Sequence, residues 1–217
     1  MSPASPLPVR FDAALSSLPL LAILRGITPG EVDAVGAVLH AAGFRLIEVP
    51  LNSPSALASI ARLRRAMAAD TLVGAGTLLA ADQIGPLRAS GGELAVMPHA
   101  DLDLIRAAKA AGLLCLPGVA TPTEAFGALR AGADALKLFP AELLTPPVIK
   151  AMRAVLPRAT RLLPVGGITP ENMAAYRTAG ASGFGLGSAL YAPGMPAAEV
   201  AQRAQRFVAA WRASPAQ

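Results

Sequence analysis

Residues 130–140 read RAGADALKLFP: a helix end, a glycine, then an apolar run that closes on proline. Glycine accepts the left-handed backbone that stops a helix, and the apolar run after it suits a buried strand. The same order returns in HAAGFRLIEVP (40–50), RASGGELAVMP (88–98), KAAGLLCLPG (109–118) and RTAGASGFGLGS (177–188). Gly91, Gly112 and Gly132 are about 20 residues apart, one helix plus one strand, whereas Gly43 to Gly91 and Gly132 to Gly180 are about twice that. Each double gap holds a further apolar run, DTLVGAGT (70–77) in the first and TRLLPVGG (160–167) in the second. With LLAILRG (20–26) at the start, the expectation is eight strands, near 20–25, 45–50, 72–76, 94–97, 113–116, 134–139, 161–166 and 183–187.

Short apolar strands that alternate with helices pair in parallel through crossover helices. Eight of them close naturally as a (β/α)8 TIM barrel, here one domain over residues 1–217 and near the lower size limit for that fold. A doubly wound open sheet is the rival, but no G-x-G-x-x-G opens a helix with an acid about 20 residues on. A short N-terminal helix is expected before the first strand, and PAAEVAQRAQRFVAAWRA (196–213) reads as a final amphipathic helix. TPGE (28–31), TPTE (121–124) and TPEN (169–172) each offer a threonine N-cap followed by proline at the first helical position.

Composition narrows the classes further. Hydrophobic residues make up 53% of the 217 and charged residues only 15%, which argues for a packed core and against disorder. No run reaches the roughly 18 apolar residues of a membrane span, and MSPASPLPVRF lacks the regions of a signal peptide, so a cytoplasmic protein with no membrane association is expected. The single cysteine, Cys115, excludes an internal disulfide and reads as packing; His40 and His99 have no ligand spacing, so no metal is expected. The net charge is +5 and the pI near 10.1, yet the arginines are scattered and aromatics are 4%, so no nucleic-acid platform is expected. Small anionic substrates suit the charge better.

There are 16 arginines and three lysines. Lys109 and Lys150 fall in helical patterns with a solvated face. Lys137 stands inside an apolar strand, where an ammonium must find a partner, snorkel to a strand end or lose its proton. Alternation puts Lys137 on one face with Ala135 and Phe139, against Leu136 and Leu138; in the same way Glu48 shares a face with Leu46 and Pro50. If the leucines meet the outer helices, both charged groups point into the barrel. Such a pair is either a buried ion pair or a nucleophilic amine with an acid/base, because burial lowers a lysine pKa and raises a glutamate's.

Chemistry in such barrels stands at the C-terminal strand ends. Those ends carry Arg25, Glu48, Thr77, Pro98, Gly118, Lys137, Gly166-Gly167 and Gly187-Ser188. Glycines after strands seven and eight leave bare backbone for an oxyanion such as phosphate, or are tight turns only. Arg25 could grip a carboxylate bidentately or form a rim salt bridge.

In order, ILRGI (23–27), IEVPLNSP (47–54), VGAGT (73–77), LKLFPAE (136–142), VGGITPEN (165–172) and GLGSALY (185–191) resemble the Schiff-base aldolases that cleave 2-dehydro-3-deoxy-6-phospho sugar acids. ILRGI with PLNSP is most similar to the 6-phosphogalactonate branch. The resemblance implies that Lys137 forms an imine with the substrate ketone and that Glu48 moves protons. It implies that Arg25 and Thr77 hold the pyruvate carboxylate and that Gly166, Gly167 and Ser188 cradle the phosphate, with Asn52, Pro98 and Gly187 completing the pocket. Pyruvate and glyceraldehyde 3-phosphate would be the products, with no cofactor or metal required, and a homotrimer is expected. In the gluconate branch an arginine follows the E-x-x-L of strand two; here Asn52 follows Leu51, which passes the carboxylate to Arg25. His99, in VMPHAD, departs from the asparagine or glycine expected there. A phosphosugar isomerase or a non-catalytic anion-binding barrel would also use the glycines, without the need for an inward lysine as nucleophile.

Overall fold

The structure is a computed structural model that describes residues 5–213; the outermost four positions at each end of the expected 1–217 domain lie outside the described residues. It is an α/β fold around a curled parallel sheet. Helix α1 (Leu7–Ser17) precedes β1 (Leu20–Ile23), α2 (Val32–Ala42), β2 (Leu46–Pro50), α3 (Ala56–Ala66) and β3 (Leu72–Gly76). A 3-10 turn (Ala81–Gln83) leads into α4 (Ile84–Ala89), β4 (Leu94–Val96), α5 (Leu102–Ala110), β5 (Leu114–Leu116), β6 (Gly118–Val119) and α6 (Pro122–Arg130). The chain ends through β7 (Leu136–Leu138), α7 (Pro146–Val155), β8 (Leu162–Pro164), α8 (Met173–Thr178), β9 (Phe184–Leu186) and α9 (Ala197–Ala213).

The eight continuous strands expected from the repeat are corrected to nine short ones among the described residues. The fifth expected strand, 113–116, is found as β5; the additional strand is β6, set apart from β5 by Pro117, which has no N–H to give to a ladder. The ladders fall in two runs, β5-β4-β3-β2-β1-β9 and β6-β7-β8, every named pairing parallel. An isolated bridge, Val165 to Gly185, connects the chain beyond β8 with β9.

Strand alternation sorts the core into two clusters. Leu20, Ala22, Ile47, Val49, Leu136, Leu138 and Leu162 face outward, in the cluster shared with the helices. Leu21, Ile23, Leu46, Leu72, Leu94, Val96, Leu114, Leu116, Ala135, Leu163 and Val165 face inward, in a second cluster that also takes Phe11 and Ala14 of α1. The N-terminal helix therefore packs on the interior cluster, and burial of a side chain such as Phe11 is worth about 2–3 kcal/mol. Cys115 packs against α5 in the outer cluster, and burial pushes its thiol up to about 12.

The helix starts obey the threonine rule only in part. Thr121 caps α6, its Oγ1 accepting from Glu124 N–H at 3.3 Å, with Pro122 in the first turn. In TPGE and TPEN the helices begin later, at Val32 and Met173, with Glu31 and Asn172 at the cap positions. The reason is local: Thr28 N–H donates to Glu31 Oε2 and Thr169 N–H to Asn172 Oδ1, both at 3.0 Å, which closes a turn before the helix can start.

Candidate active site

The inward file of the sheet is apolar except at two places. Glu48, in β2, pairs with Ile23 on one side and Gly74 on the other; Lys137, in β7, pairs with Gly118 and Leu163. Glu48 is 1% exposed and Lys137 6%. Their flanking residues, Ile47 and Val49, Leu136 and Leu138, belong to the outer cluster, so strand alternation alone turns both charged groups inward.

Burial dominates their titration. Loss of solvent pushes the Glu48 carboxyl up to about 7 from the ordinary 4.5, against the opposing pull of the Lys137 and Arg25 charges. Loss of solvent likewise lowers the Lys137 amine; Glu48 acts against this and Arg25 with it. The two groups sense each other's charge, yet no ion pair joins them among the described residues, and Glu48 Oε2 is buried with no hydrogen-bond partner. The buried ion-pair alternative is thus not the arrangement found. Lys137 Nζ lies 4.6 Å from the centre of the Phe139 ring. The other lysines are elsewhere: Lys109 binds Asp134 at 2.7 Å and Lys150 is exposed.

A cavity of about 540 Å³ opens at the C-terminal ends of the strands. Arg25, Lys137, Gly166, Gly167, Gly187 and Ser188 line it, so six residues singled out from sequence share one space. Gly166 and Gly167 have φ of +110° and +60°, the left-handed region that favours glycine. Their turn is held by Asn172, whose Nδ2 donates to Gly167 O at 2.8 Å. Ser188 follows Gly187, where an added Cβ would meet nothing within 4 Å. The lining thus brings together an amine, a guanidinium and bare glycine backbone.

Glu48, Asn52, Thr77 and Pro98 are not among the residues that line this cavity. Glu48 is buried in the interior. Asn52 is exposed and accepts a hydrogen bond from Arg25 Nη1 at 2.8 Å; the next residue, Ser53, accepts from Gly26 N–H at 2.9 Å. Thr77 follows β3 with φ of +55°, and Pro98 and the exposed His99 follow β4.

Sequence reasoning missed three supporting positions. A Cβ on Gly76 would fall 1.9 Å from Glu48 Oε2, so this glycine leaves the carboxyl its room; two glycines in the strand VGAG were the available signal. Ser53 needed the fold to be found. Glu142 stands inside the LKLFPAE motif and lines the cavity.

A second depression, of about 520 Å³, is lined by Leu51, Ser55, Leu57, Asp82 and Pro86 among others. It holds one acid and no base among its lining residues, and neither Lys137 nor Glu48 reaches it.

The model for the family described as KDPG and KHG aldolase matches residues 11–210. The chain is 48% identical over 198 residues to the 2-dehydro-3-deoxy-6-phosphogalactonate aldolase of Escherichia coli (strain K12), covering 91% of this chain and 96% of that protein. Among solved structures, one titled "Native KDPGal structure" is 47% identical with a TM-score of 0.88, covering 90% of this chain and 95% of its own. The 2-keto-3-deoxy-6-phosphogluconate aldolase of Zymomonas mobilis ZM4, solved with 3-phosphoglycerate, is 30% identical with a TM-score of 0.82, covering 94% and 98%. The buried lysine and glutamate, the glycine-lined cavity and these likenesses agree: the chain belongs to the KDPG and KHG aldolase family.

Proposed function

We propose that this aldolase cleaves 2-dehydro-3-deoxy-6-phosphogalactonate to pyruvate and glyceraldehyde 3-phosphate through a Schiff base on Lys137. The observation that carries the reading is the pairing of a desolvated amine at the cavity with a desolvated carboxyl on the same inward file. The Lys137 amine adds to the C2 ketone and water leaves to give an iminium. Loss of the C4 hydroxyl proton breaks the C3–C4 bond; its electrons flow to the iminium as an enamine, and the aldehyde departs. Protonation at C3 and hydrolysis release pyruvate and restore the amine. Glu48, with a pKa near 7, is suited both to take and to return protons in these steps.

Arg25 and Thr77 are assigned to the substrate carboxylate, Gly166, Gly167 and Ser188 to the phosphate, and Asn52, Pro98 and Gly187 to the pocket. Support for the galactonate epimer comes from Asn52: it anchors the Arg25 guanidinium at 2.8 Å instead of supplying a cation from position 52. That moves the carboxylate anchor to the segment after β1 and reshapes the space near C4, where the epimers differ. The reading also includes closure of the sheet into a full (β/α)8 barrel over one domain, 1–217. The Val165–Gly185 bridge and the single residue between β5 and β6 support closure. No helix among the described residues is long and apolar enough to cross a membrane, and the reading includes a cytoplasmic homotrimer.

Parallel pyruvate-release assays test the substrate. The galactonate epimer should show the higher kcat/KM, with partial discrimination, since a hydroxyl is told apart well only where polar groups would otherwise go unpaired. A clear preference for the gluconate epimer would overturn the assignment of Arg25 and Asn52.

A further inference from the structure

Among the described residues Glu142 is the only acid lining the cavity, and it stands at the anion cradle. A Cβ on Gly166 would lie 2.2 Å from Glu142 Oε2, and one on Gly167 would lie 2.9 Å from its Cγ. The carboxylate therefore rests directly on the Gly166-Gly167 turn. The neighbouring backbone is pinned: Ala141 N–H donates to Val165 O at 2.9 Å, and Tyr176 Oη donates to Ala141 O at 2.9 Å. The Glu142 side chain itself is exposed, and no ion pair holds it among the described residues. A phosphoryl group bound on the same turn would share that space with a like charge, at a separation where repulsion is felt even near solvent.

We propose that Glu142 tunes the affinity for the phosphoryl end of the substrate: its carboxylate occupies part of the cradle when the site is empty, swings aside as phosphate enters, and by its charge weakens the hold on phosphate. This rests on the assignment of Gly166, Gly167 and Ser188 to the phosphate. Its effect falls on binding and on release of the phosphorylated product, and the bond-breaking step does not depend on it. The cradle is thereby kept from retaining the aldehyde after cleavage.

The test compares the wild type with Glu142→Gln and Glu142→Ala, using inorganic phosphate as a competitive inhibitor and the phosphorylated substrate itself. Removal of the charge should lower the phosphate Ki and the substrate KM by about three- to tenfold, less at high salt because the group is exposed. The pyruvate concentration that half-saturates borohydride trapping should stay unchanged, since pyruvate carries no phosphoryl group for the cradle to bind. An unchanged or higher phosphate Ki in Glu142→Gln would overturn the proposal. A gain in Glu142→Ala without one in Glu142→Gln would overturn the charge argument by showing a steric cause. Failure of phosphate to compete in the wild type would overturn the cradle assignment, and the role of Glu142 with it.

Discussion

At Gly76 a single methyl group would land 1.9 Å from Glu48 Oε2, closer than two unbonded atoms can stand. The glycine is therefore part of how Glu48 is held, although it carries no chemistry of its own. Gly76→Ala should displace the carboxyl and cut kcat by about 10²-fold or more, the scale of general acid/base help, while KM moves little. Steady-state kinetics with a check of folding by circular dichroism would decide it; near-normal turnover in a folded variant would mean that Glu48 tolerates another seat. Lys137 and Glu48 were legible from sequence because strand alternation needs only the residues on either side, and a charge among leucines stands out. Gly76 was not, since its role depends on β2 and β3 lying in register, Pro50 opposite Gly76.

At the scale of elements, the loops after β1 and β2 are tied by two adjacent hydrogen bonds, Arg25 to Asn52 and Gly26 N–H to Ser53. Ser53 is buried and its hydroxyl takes up a backbone donor, so the two bonds hold the segment that carries the guanidinium. Ser53→Ala should raise KM about three- to tenfold with little change in kcat, because a lost hydrogen bond of about 1–2 kcal/mol loosens a binding group and leaves Lys137 in place. Ser53→Thr should recover part of the loss; an equal fall in kcat would move the effect from binding to chemistry. The helix–glycine–strand repeat was readable because it needs only local caps and period. The extra short strand β6 beyond Pro117 and the late starts of α2 and α8 were not. They follow from competing local hydrogen bonds and a missing N–H, which overrode the repeat pattern. Packing of α1 on the interior cluster could not be read either, since the surface it covers exists only once the sheet has curled.

Across the whole molecule, the two buried charged groups tie stability to pH in opposite senses. The fold raises the Glu48 pKa from 4.5 to about 7, so its contribution is fully present below pH 4.5 and is lost as pH rises through about 7. That interval corresponds to roughly 3 kcal/mol. Lys137 has a lowered pKa, so its contribution is present above the ordinary 10.5 and is lost as pH falls through the lowered value. Glu48→Gln removes the first of these. Its Tm should exceed that of the wild type at pH 8 and converge with it at pH 4; a difference independent of pH would point to packing and away from ionisation. The interior thus holds an amine and a carboxyl at the expense of stability near neutral pH, which a purely structural pair would not require. The most direct measurement is to incubate the protein with pyruvate and borohydride and map the reduced adduct by mass spectrometry. The proposed role of Lys137 predicts one adduct on that side chain, lost in Lys137→Arg; an adduct on Lys109 or Lys150, or none in an active preparation, would contradict it.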